Sequence, residues 1–498
     1  MPPQNLPQPL TAGIIGAGIA GLSAAIGLRR AGLQVQVYER SQFKNEIGAA
    51  ITAPPNATYI LRQWGFDFEA AAPVPNVCTR YVAADSLETI SESRYLNIEA
   101  EMGAPCLSFH RVDLHKGLRA LATGGGEREH DANDEGEGGN VTRIKGTPVA
   151  IRLGCEVQSV DCEKGVLTLA DGSKVQKDLV IIADGAHSKL LPDFLGHPAP
   201  AQPTGRSIYR WLVSAECLVS HPEIKEAFSG QFEGFIGWSD PAKHVFWVAY
   251  ACSGGTVLSN AVVHDTEDYI PSHSSSIDTS SSLDDGTKSE QTENRQDNEA
   301  ENTTWRTPAT KESVLNTCSN FHPSIRQLVS LASEDGIRVH RLFKRPPLES
   351  FVRGRTAVIG DAAHVMLPTH AAGCAMAIES AGVLEVLFKG LEGHLNSSAN
   401  LDGNMRESVI RERLELFDKL RIPRCNLAML VSNAGPEGLR LPGVEQEIRR
   451  FYQGPLPPKD AMPWSAEFRE VLFNYNAFEE AAQALGDEEG REKEVGET

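Results

Sequence analysis

The sequence predicts an α/β chain: a parallel sheet flanked by helices, an inserted antiparallel sheet, and a helical C-terminal region. Three observations predict it. Residues 12–40 read as strand, glycine-rich turn, helix and strand. Residues 207–214, 244–250 and 256–263 have strand patterns of their own, far from that unit. Residues 405–453 carry helical patterning with mixed charge. At 498 residues the chain exceeds one ordinary domain and is long enough to enclose a ligand.

The elements follow in order. Ala12–Ile15 is a short apolar strand and Gly16–Gly21 a glycine-rich turn. Leu22, Ala25, Ile26 and Leu28 then fall on or near one helical face, and Gly32 stops that helix. Val35–Tyr38 is a second strand, ended by Glu39. A helix is expected from about Asn56, after Pro54-Pro55, to Gly65, and another over Val112–Leu121. Strands follow at Glu156–Asp161 and Val166–Leu169, then the turn Asp171-Gly172. Asp178–Ala183 has the apolar run of a buried strand. From Ala357 a strand leads into Gly360-Asp361, a loop and a helix.

The formal net charge of −19 sits almost wholly in three segments: 127–137 at −5, 264–303 at −9 and 487–498 at −4. All three are poor in apolar residues and read as disordered. The folded body is therefore near neutral, which argues against a nucleic-acid partner. Nine cysteines lack CxxC or zinc-like spacing, and the histidines lack HExxH, so no metal is expected. The polar N-terminus lacks a signal-peptide layout, and no eighteen-residue apolar run occurs. Reduced thiols, a cytoplasmic location and no membrane span are the expectations.

Gly16-x-Gly18-x-x-Gly21 carries the first chemistry. Gly16 permits the tight turn, Gly18 lets backbone approach a pyrophosphate, and Gly21 lets the helix pack close to the strand. The helix N-terminus offers N–H groups and partial positive charge to the phosphates. Glu39, eighteen residues past Gly21, is placed to accept hydrogen bonds from an adenosine ribose. A merely structural turn with a surface Glu39 is the bland alternative; strand, helix, second strand and acid together favour a Rossmann-like dinucleotide site. The motif alone does not separate FAD from NAD.

Two further motifs do. Asp178-Leu-Val-Ile-Ile-Ala-Asp184-Gly185-Ala-His-Ser188 resembles the Asp-Gly motif of flavoprotein monooxygenases, and Gly354 to Pro368, with Gly360-Asp361-Ala-Ala-His364, resembles their Gly-Asp motif. The chain is similar to the group A FAD-dependent aromatic monooxygenases, typified by para-hydroxybenzoate hydroxylase, and within them to the salicylate hydroxylase branch. Gly48-Ala49-Ala50-Ile51, Pro55-Asn56-Ala57, His110-Arg111-Val-Asp113-Leu114 and Asn474-Tyr475-Asn476-Ala477 carry that closer resemblance. Ala50, Ile182 and Cys374 depart from its pattern.

The resemblance implies a Rossmann-like FAD-binding domain, an inserted antiparallel-sheet substrate domain and C-terminal helices. It divides the chain into FAD-binding segments 10–80, 106–195 and 351–392, with a disordered loop at 123–140. Substrate-domain segments are 81–105 and 196–350, with a disordered insertion at 271–304. A helical region at 393–485 and a disordered tail at 486–498 complete it. It implies FAD contacts from Gly16, Gly18, Gly21, Glu39, Arg40, Ala49, Ala50, Arg111, Asp184, Asp361, Gly373 and Cys374. It also implies NADH or NADPH as co-substrate, O2, and a small aromatic or polyketide-like substrate hydroxylated through a flavin C4a-hydroperoxide. Secondary metabolism is one setting, and a homodimer is compatible.

On the substrate side, Arg210 in Tyr209-Arg210-Trp211 and Tyr250 in Val248-Ala-Tyr250 match family segments and are the candidate catalytic residues. Arg210 suits a phenolate or carboxylate; Tyr250 suits proton transfer or ring orientation. A strand salt bridge and a core aromatic are their bland counterparts. Among histidines beside the motifs (His110, His187, His364, His370), His364 is expected to brace its loop and His370 to contact substrate. Trp211, Phe246 and Trp247 fit pocket or core. The competing functions are a flavin oxidase or dehydrogenase without oxygen transfer, and a non-catalytic FAD-binding protein on the same fold.

Overall fold

The computed structural model describes residues 9–43, 49–125, 146–228, 234–266, 306–391 and 403–496. The insertion expected at 271–304, residues 126–140 of the acidic loop and residues 393–402 lie outside the described residues.

The first predicted unit forms as strand β1 (Thr11–Ile15), helix α1 (Ile19–Arg30) and strand β2 (Gln34–Glu39). β1 pairs in parallel with β2 on one side and with β3 (Leu179–Ile182) on the other. The full sheet runs Val352–Arg353, Thr356–Val358, β3, β1, β2, Ala150–Leu153, and only the Val352–Thr356 hairpin is antiparallel. Leu179 to Ile182 are fully buried, which is why β3 reads as an unbroken apolar run. Helix α2 (Ala372–Phe388) lies against α1, so closely that a Cβ on Gly27 would sit 2.5 Å from the Ala381 carbonyl oxygen.

The second sheet has eight strands. Its order is Arg306–Pro308, Arg338–Lys344, β4 (Gln202–Ser214), β7 (Val257–Asp265), β6 (Val245–Cys252), β5 (Gly234–Asp240), Cys78–Ala83, Thr89–Arg94. It is not purely antiparallel as the sequence led us to expect: β5 and Cys78–Ala83 run parallel. Those two strands come from distant parts of the chain, so no hairpin constrains their direction. One face buries Tyr209, Trp211, Val213, Trp238, Trp247 and Val262 against the helices Lys311–Thr317 and Pro323–Ser330. Trp211 and Trp247 are therefore core residues, as alternation along β4 and β6 dictates. The other face carries Arg210, Tyr250 and Phe235, with Phe246 tilted against Tyr81.

The C-terminal region begins with helix α3 (Gly403–Asn433). The helical pattern expected through 453 breaks at Gly435, whose φ of +64 ends the helix; a 3₁₀ turn (Gly435–Arg440) and a short helix (Val444–Arg449) follow. The tail expected to be disordered instead continues the helix Ala477–Gly496. Its glutamates are good helix formers, and they extend the helix begun at Ala477 despite the charge density. No helix among the described residues is long and apolar enough to cross a membrane.

A buried ion cluster joins α2 to α3. Glu379 is fully buried between Arg421 at 2.8 Å and Arg424 at 2.9 Å. Asn56 donates to the same carboxylate at 2.5 Å. Burial alone would raise the Glu379 carboxyl, but Arg424 and Arg421 hold it below the usual carboxylate range. Arg424 also lies over the Tyr475 ring at 4.4 Å and donates to the Val471 and Leu472 carbonyls. The Asn474-to-Ala477 segment thus acts as a clamp: Tyr475 receives the guanidinium, and Asn476 accepts from the Phe478 and Glu479 amides.

Candidate active site

The glycine turn is built by close approach. Gly16 has φ of +98, and a Cβ there would lie 2.5 Å from the Ala183 oxygen. At Gly21 an added Cβ would sit 1.9 Å from the Gly16 oxygen, inside any tolerable contact. Gly18 has nothing within 4 Å of such an atom, so its side of the turn faces open space. Gly21→Ala must push α1 off the turn. We expect it to lower stability by about 1–3 kcal/mol and to reduce FAD retained on purification. Absorbance at the flavin bands against protein concentration measures that loss, and full occupancy would refute it.

Glu39 stands at the mouth of the turn. One carboxylate oxygen accepts from the Ala17 amide at 2.7 Å, the other from Ser41 at 2.7 Å. Each oxygen keeps a lone pair for a further donor. Sequence reasoning missed His115, whose Nε2 meets the Ala17 oxygen at 2.7 Å. It lies one turn past Arg111 on the helix Arg111–Thr123, just beyond the segment that had drawn notice.

The second and third motifs close on this turn. Asp184 is shielded enough that burial raises its carboxyl above the ordinary range, and its Oδ1 has no hydrogen-bond partner among the described residues. Arg40, exposed, opposes that rise. Gly360 has φ of +62, and a Cβ on it would lie 2.6 Å from the Ala20 side chain of α1. Asp361 follows, exposed between buried neighbours, and a Cβ on Gly373 would be 4.0 Å from its Oδ1. Burial pushes the Cys374 thiol up to about 12; Asp361 adds to the rise and Arg111 opposes it. Ala49 ties in as well, accepting the Arg111 amide at 2.8 Å.

Arg345 is a second residue that sequence reasoning missed. Buried, it donates to Ala362 at 3.2 Å, Ala186 at 3.2 Å and Ala199 at 3.0 Å. It therefore bolts the Asp184 loop to the Asp361 helix. Nothing in its own neighbourhood, Lys344-Arg345-Pro346, announces that role.

The histidines divide. His364 braces its loop with its backbone, donating to Gly360 at 2.9 Å, while its ring is buried near Phe351. His187 is exposed at the edge of the Phe343 ring. His110 lies 3.6 Å from Asp113. His370, expected at the substrate, has its ring buried 4.7 Å from Phe468, and burial lowers its pKa to about 4.

The face of the second sheet completes the site. Tyr250 donates its hydroxyl to the Ala50 oxygen at 2.9 Å, which joins β6 to the segment after Ala49. Burial pushes its phenol up to about 12, against the pull of Arg210. Arg210 is half-buried, and its Nε has no hydrogen-bond partner among the described residues. Burial holds its pKa below the ordinary arginine range; Tyr250 opposes that and Arg111 deepens it. Arg111, Arg210, Tyr250, Asp361 and Cys374 therefore share one electrostatic neighbourhood. Among the described residues, neither Arg210 nor Arg111 has a carboxylate in salt-bridge contact. Among the described residues Arg210 has no salt bridge along its strand, and Tyr250 is hydrogen-bonded to the segment after Ala49.

A family model described as pyridine nucleotide-disulphide oxidoreductase matches residues 12–207. The chain is 28% identical to a hispidin-3-hydroxylase of Neonothopanus nambi, over 82% of this chain and 85% of that one. It is 28% identical to an FAD-dependent monooxygenase of Aspergillus candidus, over 95% and 94%. Among solved structures, a salicylate hydroxylase substrate complex superposes with a TM-score of 0.65, 22% identity and coverage of 96% and 98%. Fold, turn and relatives define an FAD-dependent oxidoreductase. More narrowly, the chain is similar over most of its length to FAD-dependent monooxygenases and shares the fold of salicylate hydroxylase.

The residues present fit FAD. An open cradle at Gly18, an acid at the end of β2 and an unpartnered buried Asp184 oxygen stand where that group needs donors and acceptors.

Proposed function

We propose that this chain hydroxylates an aromatic phenol or related enol, consuming NAD(P)H and O2, and that Arg210 holds the substrate's anionic oxygen. The observation that carries this reading is the Arg210 guanidinium. It is half-buried, lacks a carboxylate in salt-bridge contact among the described residues and faces Tyr250. A cation in that state is stabilised by an anion delivered with the ligand. An ionised phenol or enol is such an anion, and ionisation makes the ring or enol carbon electron-rich. Two similar proteins, a hispidin-3-hydroxylase and a salicylate hydroxylase, are hydroxylases and support the reading. A place in secondary metabolism belongs to it.

FAD, when bound, supplies hydride acceptance and oxygen activation. Gly16, Gly18 and Gly21 would cradle its pyrophosphate, Glu39 its adenosine ribose, and Asp361 its ribityl chain. Arg40, Ala49, Ala50, Arg111, Asp184, Gly373 and Cys374 would line the rest. The chain's own work is to bind, orient and exclude water. Arg210 lowers the substrate's pKa and fixes its oxygen. Tyr250 has committed its proton to the Ala50 oxygen, so its own oxygen is an acceptor for a substrate hydroxyl. That favours orientation of the ring over proton transfer.

A screen of phenols and enols, followed by NAD(P)H oxidation and product mass under ¹⁸O2, tests the proposal. Expected is substrate-stimulated oxidation with one labelled oxygen in the product. Substrate oxidation without NAD(P)H that releases peroxide would make the chain an oxidase instead. A protein that takes up no FAD would overturn both.

A further inference from the structure

Resting on the reading of Tyr250 above, the aromatic cluster behind that residue carries one step more. Phe235, on β5, meets the Tyr250 ring edge-on at 4.9 Å. Trp464 meets Phe235 from the far side at 5.0 Å. Trp464 comes from the irregular segment between the helices Val444–Arg449 and Ala466–Phe473, more than two hundred residues away in sequence. Its backbone is left-handed, with φ of +67, in a residue only 2% exposed. A bulky side chain holds that conformation only where the surroundings enforce it.

The surroundings are explicit. The Trp464 carbonyl accepts from the Arg469 guanidinium at 2.6 Å and from the Ser93 hydroxyl at 3.1 Å. Arg469 is itself buried and lies over the Tyr95 ring at 4.6 Å. Tyr95 stacks on the indole at 6.0 Å, and Phe473 closes the other side at 4.8 Å. The indole is thus fixed by contacts from three parts of the chain, and the side it presents to the site is Phe235.

We propose that Trp464 is a positioning residue for the reaction: it holds Phe235 against Tyr250 and so keeps the Tyr250 hydroxyl on the Ala50 oxygen. The C-terminal segment thereby sets the geometry of a site built from residues 16–374.

The test uses full-length, FAD-loaded enzyme with 3-fluorotyrosine in place of its nine tyrosines. Tyr250→Phe assigns the Tyr250 ¹⁹F resonance. Trp464→Gly removes the ring while tolerating the left-handed backbone. Phe235→Leu breaks the same chain with Trp464 intact, should the first variant fold poorly. Both are expected to move the Tyr250 resonance with FAD occupancy unchanged. With the screened substrate, Trp464→Gly is expected to lower kcat/KM about tenfold. The loss should vanish in the Tyr250→Phe background, whereas a general packing defect would add to it. An unmoved Tyr250 resonance in both folded variants, or full additivity, overturns the proposal. Unimpaired turnover in Tyr250→Phe would instead overturn the role given to Tyr250, while the resonance still decides whether Trp464 controls it.

Discussion

Replacing Glu379 with Ala is expected to cost about 3–5 kcal/mol of stability, a large effect for one side chain, because two guanidiniums would remain buried without their anion. Arg421 has no exposure and Arg424 very little, so water cannot take the place of the carboxylate. Glu379→Gln keeps a hydrogen-bonding group but not the charge, and should fall between Ala and the parent. Urea unfolding of the FAD-loaded protein measures both. The sign with pH follows from the lowered pKa of Glu379. Its contribution is present above the unfolded carboxylate pKa and is lost as pH falls through the folded one. An unfolding midpoint in Glu379→Ala equal to that of the parent would show that α2 and α3 are held by their apolar contacts alone.

The second large effect is catalytic. Arg210→Ala should lower kcat/KM for the anionic substrate by about a hundredfold or more, the scale of removing one charge-assisted hydrogen bond from a desolvated site. FAD content should be unchanged, since Arg210 belongs to the eight-stranded sheet and not to the parallel sheet that carries the glycine turn. Arg210→Lys should restore little, because an ammonium does not reproduce the planar fork. Steady-state kinetics with a titration of bound flavin separates the two properties. A kcat/KM within threefold of the parent would return Arg210 to a structural role.

What could be read from the sequence was what is local. β1, the turn, α1 and β2 lie within thirty residues, and their glycines and apolar spacing state the fold directly. Gly360-Asp361 was legible for the same reason: one strand, one turn, one short helix. Alternation placed Arg210 and Tyr250 on strands, yet could not say which face met the cofactor. That depends on the register with β7, set by residues fifty positions apart. Arg345, Trp464 and the Glu379 cluster were invisible, because each acts through contacts between remote segments. The tail was misjudged by weighing charge above helix preference.

The order of strands in the parallel sheet bears on how the enzyme is made. β3 lies between Thr11–Ile15 on one side and Thr356–Val358 on the other, so the sheet acquires its last parallel member only after most of the chain has emerged. Trp464 and Tyr475 arrive later still. During synthesis, N-terminal parts fold first where they can. Here the nascent glycine turn exists long before the Asp361 loop, the ion clamp or the aromatic wall. A ribosome-bound fragment can therefore have a nucleotide-binding turn but not the enclosure that keeps water from reduced flavin. Truncation before Gly360 would leave the glycine turn without the Asp361 loop, the ion clamp or the aromatic wall.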